Sequence, residues 1–170
     1  MSGKPNAIIV MGVAGSGKTT VGVELARKTG FEFEDADDFH SAANKAKMAS
    51  GVPLNDEDRA PWLASVREWV VERVRAGASV VVACSALKEA YREALNAPEP
   101  VRMQFVYLQA SEELTAERLR ERHAHFMKVN MLRSQYATLE VPTASEAWIV
   151  DASLPVDDIV EAIRMKLAKA

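Results

Sequence analysis

The segment Gly12-Val13-Ala14-Gly15-Ser16-Gly17-Lys18-Thr19 fits the pattern G-x-x-x-x-G-K-[ST] and follows directly on the apolar run Ala7-Ile8-Ile9-Val10-Met11. A buried parallel strand needs such a run. The glycines let consecutive backbone N–H groups curl around an anion, and a helix opening at Lys18 turns its positive end toward that anion. A chain built this way is confined to an α/β fold with a phosphate-bearing ligand beside its first strand. Lys18 is placed to reach the β- and γ-phosphates of a nucleotide, and the Thr19 hydroxyl suits Mg²⁺. The candidate ATP-binding set is Gly12, Gly15, Ser16, Gly17, Lys18, Thr19 and Thr20.

At 170 residues the chain accommodates one ordinary domain with a buried sheet and is too short for two. Its formal net charge of -3 does not favour nucleic acid or an anionic membrane, so an anionic ligand must be held by a local site. The single Cys84 lies in the apolar stretch Val80-Val81-Val82-Ala83-Cys84, where a buried structural thiol is expected, and no disulfide can form within one chain. No apolar segment approaches the ~20 residues of a membrane span. The expected location is the cytoplasm.

Patterning along the chain alternates strand and helix. A first helix is expected over 18–28, a short strand over 31–35 ending in acidic residues, a polar helix over 41–50 stopped by Gly51, and a helix from about Arg59 to Ala76. Residues 79–84 read as a central parallel strand, 87–95 as a helix and 103–108 as a fourth strand. Ser111 caps a helix running through Arg122. Residues 148–150 supply a fifth strand and 156–167 a last helix with Ile159, Val160, Ile163 and Leu167 on one face. Repeated units of this kind give a five-stranded parallel sheet with helices on both faces and ligands at the carboxyl ends of the strands.

The stretch Asp35-Ala36-Asp37-Asp38-Phe39-His40 leaves the second strand beside the phosphate loop. Residues two apart on an extended segment point the same way, so Asp35 and Asp37 are expected to share the site while Asp38 faces solvent. One carboxylate there can hold a Mg²⁺-bound water, and the other can orient an acceptor hydroxyl and take its proton.

With these residues in place, the chain resembles the gluconate kinases, small kinases related in fold to shikimate kinase and the nucleoside monophosphate kinases. The resemblance rests on the phosphate loop and the acidic hexapeptide. It rests also on the string Asn44, Lys47-Met48, Gly51, Pro53-Leu54, Asp56, Asp58-Arg59, Pro61-Trp62-Leu63. Further matches are Cys84-Ser85-Ala86-Leu87-Lys88, Tyr91-Arg92, His125-Phe126-Met127, Ser134-Gln135, Thr138-Leu139-Glu140 and Pro142. Together they extend from about residue 8 to 165.

The resemblance implies a single P-loop kinase domain over 1–170 with a small lid near 118–135, ATP and Mg²⁺ as cofactors, D-gluconate as the small-molecule partner, and a homodimer. It implies in-line transfer of the γ-phosphoryl to the terminal hydroxyl. Lys18 neutralises developing charge, Thr19 and Asp35 hold Mg²⁺, and Asp37 positions the hydroxyl. The substrate carboxylate calls for cations and hydrogen-bond partners, a need that Arg59, Lys88 and His40 fit, and Gln135 after the lid is a further candidate contact. Arg118 and Arg122, four apart on one helix face, are the lid arginines expected to screen the transferring phosphoryl, while Arg120 points to solvent. His123 and His125 have no third ligand nearby, so zinc is rejected. The chain departs from the family pattern at Ser41, Ala124 and Lys128, where proline, glycine and proline are common. Two other functions compete with gluconate phosphorylation. One is another small-molecule kinase such as shikimate kinase, and the other is a non-catalytic ATP-binding regulator.

Overall fold

The computed structural model describes residues 3–121 and 129–170. Five strands, β1 (Ala7–Met11), β2 (Glu32–Asp35), β3 (Val80–Ala83), β4 (Met103–Gln109) and β5 (Ala147–Asp151), form one sheet in the order β2-β3-β1-β4-β5. Every pairing is parallel, with Ala7 of β1 beside both Val80 and Met103. Among the described residues seven helices accompany it: α1 (Lys18–Thr29), α2 (Ala42–Ala49), α3 (Asp56–Arg75), α4 (Glu89–Leu95), α5 (Glu112–Glu121), α6 (Val129–Thr138) and α7 (Val156–Lys169).

Strand β1 is apolar throughout because both of its faces are covered. Ala7, Ile9 and Met11 join a core with Val80, Val82, Trp62, Val66 and Val70, on the face covered by α3 and α4. Ile8 and Val10 face the opposite core, with Val21 and Leu25 of α1 and Ile159, Val160 and Ile163 of α7. The chain leaves β1 toward β3 and β2 on one side, and β4 and β5 lie on the other. The order therefore reverses at β1, and a crevice opens at its carboxyl end, where the phosphate loop sits. The Gly12 amide, the first of that loop, donates to the Ser85 carbonyl just beyond β3 at 3.3 Å.

The start of α3 departs from expectation. The helix opens at Asp56 rather than Arg59, because Asn55 and Asp58 form a reciprocal capping box: Asn55 Oδ1 accepts from the Asp58 amide at 2.8 Å, and Asp58 Oδ2 accepts from the Asn55 amide at 3.0 Å. Arg59 thus lies at the end of the first turn. Ser41, which stands where the related pattern has proline, caps α2 by accepting from the Asn44 amide at 3.1 Å.

Candidate active site

The glycines of the phosphate loop are where the backbone turns tightly. Gly12 has φ 148°, and a Cβ there would meet Ser16 Oγ at 2.8 Å and the Leu108 carbonyl at 3.1 Å. Gly15, at φ 80°, lies against the Thr115 carbonyl, which a Cβ would approach to 2.8 Å. Gly17, at φ 100°, leads into α1, so the positive end of that helix opens on the loop. Ser16 Oγ is buried and has no hydrogen-bond partner among the described residues. Lys18 folds over the loop, its Nζ donating to the Val13 carbonyl at 3.0 Å. Thr19 and Thr20 are exposed in the first turn of α1.

The Thr19 hydroxyl donates to Asp35 Oδ2 at 2.9 Å. One hydroxyl and one carboxylate, both hard oxygen donors beside a phosphate loop, fit Mg²⁺, which takes few protein ligands and relies on phosphate oxygens and water for the rest.

Asp35 and Asp37 lie together, but not by the alternation expected of an extended segment. Asp35 ends β2 and caps a single 3-10 turn over Ala36–Phe39, its Oδ1 accepting from the Asp37 amide at 2.9 Å. The turn buries Ala36 beneath the site and carries both Asp37 and Asp38 outward. Water reaches 81% of the Asp37 side chain. Protein packed around it still weakens the solvation of its charge. That desolvation, and then the adjacent Asp35 carboxylate, raise its pKa against the opposing pull of Lys18. Asp37 is therefore a better proton acceptor than an ordinary aspartate.

His40 is not a cation. Its ring is buried, stacked on Trp62 at 4.1 Å between centroids, with Nδ1 3.3 Å from Asn44 Nδ2. Burial, and then the charge of Arg59, lower its pKa to about 4, so it is neutral near pH 7. Trp62 in turn donates from Nε1 to the Ala36 carbonyl at 2.6 Å, and the stack buttresses the acidic turn.

Arg59 and Lys88 converge on Tyr91 from different elements. Arg59 Nη1 donates to the Tyr91 hydroxyl at 3.0 Å, and that hydroxyl donates to Asp56 Oδ1 at 2.7 Å. Lys88, just ahead of α4, places Nζ 3.7 Å from the same Asp56 oxygen and 5.5 Å from the centre of the Tyr91 ring. The bond from Tyr91, and then Lys88, lower the Asp56 pKa. Arg59, Trp62, Ser85, Leu87, Tyr91, Ser134, Gln135 and Thr138 line one cleft. A more open depression, lined by Arg67, Glu68, Val71, Glu72 and Arg75 of α3, carries no chemistry of this kind.

Gln135 of α6 reaches the phosphate loop itself, its Oε1 accepting from the Ala14 amide at 2.7 Å. Arg118 of α5 is also tied to the loop, with Nη1 donating to the Ser16 carbonyl at 3.1 Å and Nη2 to the Ala152 carbonyl at 2.6 Å. Arg120 is exposed. Arg122, His123, Ala124, His125 and Lys128, and with them the middle of the expected lid, lie outside the described residues.

Three residues without an individual role in the sequence reading shape this site. Tyr91 and Asp56 organise the two cations, and the spacing of Lys88 and Tyr91, three apart across a helix start, is the signal that pairs them. Buried Arg92 donates from Nη1 to the Ala86 carbonyl at 2.9 Å and from Nη2 to the Glu140 carbonyl at 3.0 Å. It thereby braces the Ser85–Lys88 connection against the segment after α6. Cys84 is buried, and its thiol is pushed up to about 12, so it supplies no nucleophile.

Residues 8–142 match the family model described as AAA domain. The chain is 47% identical over 146 residues to the gluconokinase of Gluconobacter oxydans, covering 86% of this chain and 82% of that one. It is 39% identical over 154 residues to the thermoresistant gluconokinase of Escherichia coli, covering 89% and 87%. The solved structure of a gluconokinase from Sinorhizobium meliloti superposes with a TM-score of 0.88 at 41% identity, over 99% of this chain and 94% of that one. Shikimate kinase from Acinetobacter baumannii, at 21% identity and a TM-score of 0.64 over 96% and 93%, shares the fold. A phosphate loop facing an acidic turn, with two cations beyond it, thus occurs in a chain close in sequence and shape to sugar-acid kinases: the protein is a P-loop enzyme of the gluconokinase family.

Proposed function

We propose that this enzyme transfers the γ-phosphoryl of ATP to the terminal hydroxyl of D-gluconate, giving 6-phospho-D-gluconate and ADP. The observation that carries the reading is the run of neighbours from Lys18, whose charge acts on Asp37, through His40, with Nε2 4.0 Å from Asp37 Oδ1, to Arg59 and its cluster with Tyr91 and Lys88. One end suits phosphates, the middle takes a proton, and the far end suits a carboxylate. The names of the relatives support the choice of acceptor.

In this mechanism backbone groups of Gly15 to Thr19 hold the phosphates, with Thr20 beside them, and Lys18 offsets charge developing on the transferred group. Thr19 and Asp35 would hold Mg²⁺, which shields the phosphate charge when bound. Asp37 orients the acceptor hydroxyl and takes its proton as the oxygen–phosphorus bond forms, while the bond to the departing ADP oxygen breaks. Arg59 and Lys88 pair with the carboxylate of gluconate, Asp56 giving up part of its hold on them. His40 acts as a neutral brace and hydrogen-bond partner. Arg118, with Arg122, closes over the phosphates as the lid near 118–135 shuts, and water is excluded. We assign the enzyme to the cytoplasm as a homodimer. Among the described residues no helix is long and apolar enough to cross a membrane.

The test is ADP release with Mg-ATP in the presence of D-gluconate, shikimate, related sugar acids, or no acceptor. Release with gluconate at least tenfold above every other arm is expected. Release with shikimate alone would overturn the choice of acceptor, and ATP binding without release in any arm would favour a regulator.

A further inference from the structure

We propose that Gln135 is a positioning residue that registers the acceptor cleft against the phosphate loop. The inference rests on the phosphoryl-transfer reading above. Gln135 is one of the residues lining the cleft that holds Arg59 and Tyr91. It is at the same time bonded to the loop, through Oε1 and the Ala14 amide at 2.7 Å, across 121 residues of sequence. A backbone N–H can only donate, so the side-chain oxygen must face the loop and the amide nitrogen must face away from it. That nitrogen donates to no described residue. One rigid planar group therefore offers two donor hydrogens to whatever occupies the cleft, while its other end is fixed to the strand–helix turn that holds the nucleotide.

The ligand chemistry follows from the free end. Two N–H donors suit an acceptor rich in oxygen lone pairs, such as a polyhydroxy acid, and offer nothing to an apolar molecule. Fixing that molecule and the phosphate loop through a single side chain sets the distance between hydroxyl and phosphoryl, where a displacement of about 1 Å can cost on the order of 100-fold in rate. Gln135 lies on α6, so the placement of that helix and the geometry of the phosphate loop are linked through its bond to Ala14.

Gln135→Met keeps the length and bulk of the side chain and removes both hydrogen-bonding functions, whereas Gln135→Glu keeps an oxygen for the Ala14 amide and loses the donors. Gluconate-dependent ADP release by Gln135→Met should show kcat at least tenfold below the parent enzyme. Its KM for ATP should stay within threefold. In amide NMR spectra the Ala14 proton should shift in Gln135→Met and hold near its parent position in Gln135→Glu. A kcat within twofold of the parent, or equal losses with and without acceptor, would overturn the positioning role, as would an unmoved Ala14 amide. Parent enzyme that fails to turn over gluconate would fault the choice of acceptor instead, and the Ala14 amide would still report on the tie between helix and loop. Should Gln135→Met fail to fold, Gln135→Glu carries the kinetic test, with the same tenfold loss of kcat expected from its missing donors and a kcat within twofold overturning the proposal.

Discussion

Asp37 and His40 sit three residues apart on one turn, and weaker solvation of the charged form shifts them in opposite directions. Desolvation favours the neutral form of each, raising the pKa of the acid and lowering that of the base. For Asp37 the consequence is catalytic. The acidic limb of kcat/KM should lie above the pH range of an ordinary aspartate, and Asp37→Asn should lower kcat by about 100-fold or more with KM for ATP little changed, measured by coupled ADP release. For His40 the consequence is stability. Its folded pKa of about 4 lies below the ordinary 6.5, so between those values the unfolded chain binds more protons and the fold weakens as pH drops. The stabilisation lost by pH 4 is on the order of 3 kcal/mol. Chemical denaturation from pH 7 to pH 4.5 should show that loss, and His40→Gln should flatten it over the same window.

At the scale of elements, the site depends on how closely α1 lies against β2. Gly22 is the contact: a Cβ there would come within 2.6 Å of the Phe33 ring, on the strand that ends at Asp35. Alanine in mid-helix gains about 1 kcal/mol of propensity, but forcing a ring aside in a filled layer costs about 1–3 kcal/mol. Gly22→Ala should therefore be destabilising by about 1 kcal/mol and lower the melting temperature by about 2–4 °C, read by calorimetry. A rise would mean that the layer has room to spare. This scale also shows what a sequence can carry. The apolar run of β1 and the glycine pattern after it locate the phosphate loop, because period and turn chemistry are local. The capping box at Asn55 is local too, yet the apolar stripe begins only at Trp62, so periodicity alone puts the start of α3 near Arg59, three residues late. The 3-10 turn after Asp35 was hidden behind a strand pattern, although the expected pairing of Asp35 with Asp37 survives on different geometry. Gln135 on the Ala14 amide and Arg118 on the Ser16 carbonyl are contacts over more than a hundred residues. No local pattern encodes such contacts, and only the fold brings those partners together.

On the scale of the whole molecule, a chain of net charge -3 meets anions with a few local cations, Lys18, Arg59, Lys88 and Arg118, rather than with its overall field. The reversal of strand order at β1 creates the crevice, and the loop, the acidic turn and the cluster around Tyr91 come to its rim from β1, β2 and the connections flanking α3 and α4. In the proposed reaction one crevice joins the terminal phosphoryl of ATP to the hydroxyl end of a sugar acid. Phosphorus NMR of the enzyme turning over Mg-ATP with D-gluconate tests that claim directly, because it identifies the atom that receives the phosphoryl group. One phosphomonoester on the terminal carbon of gluconate, formed in equal amount with ADP, is expected. Inorganic phosphate as the sole new phosphorus product, or ester formed at another position, would contradict it.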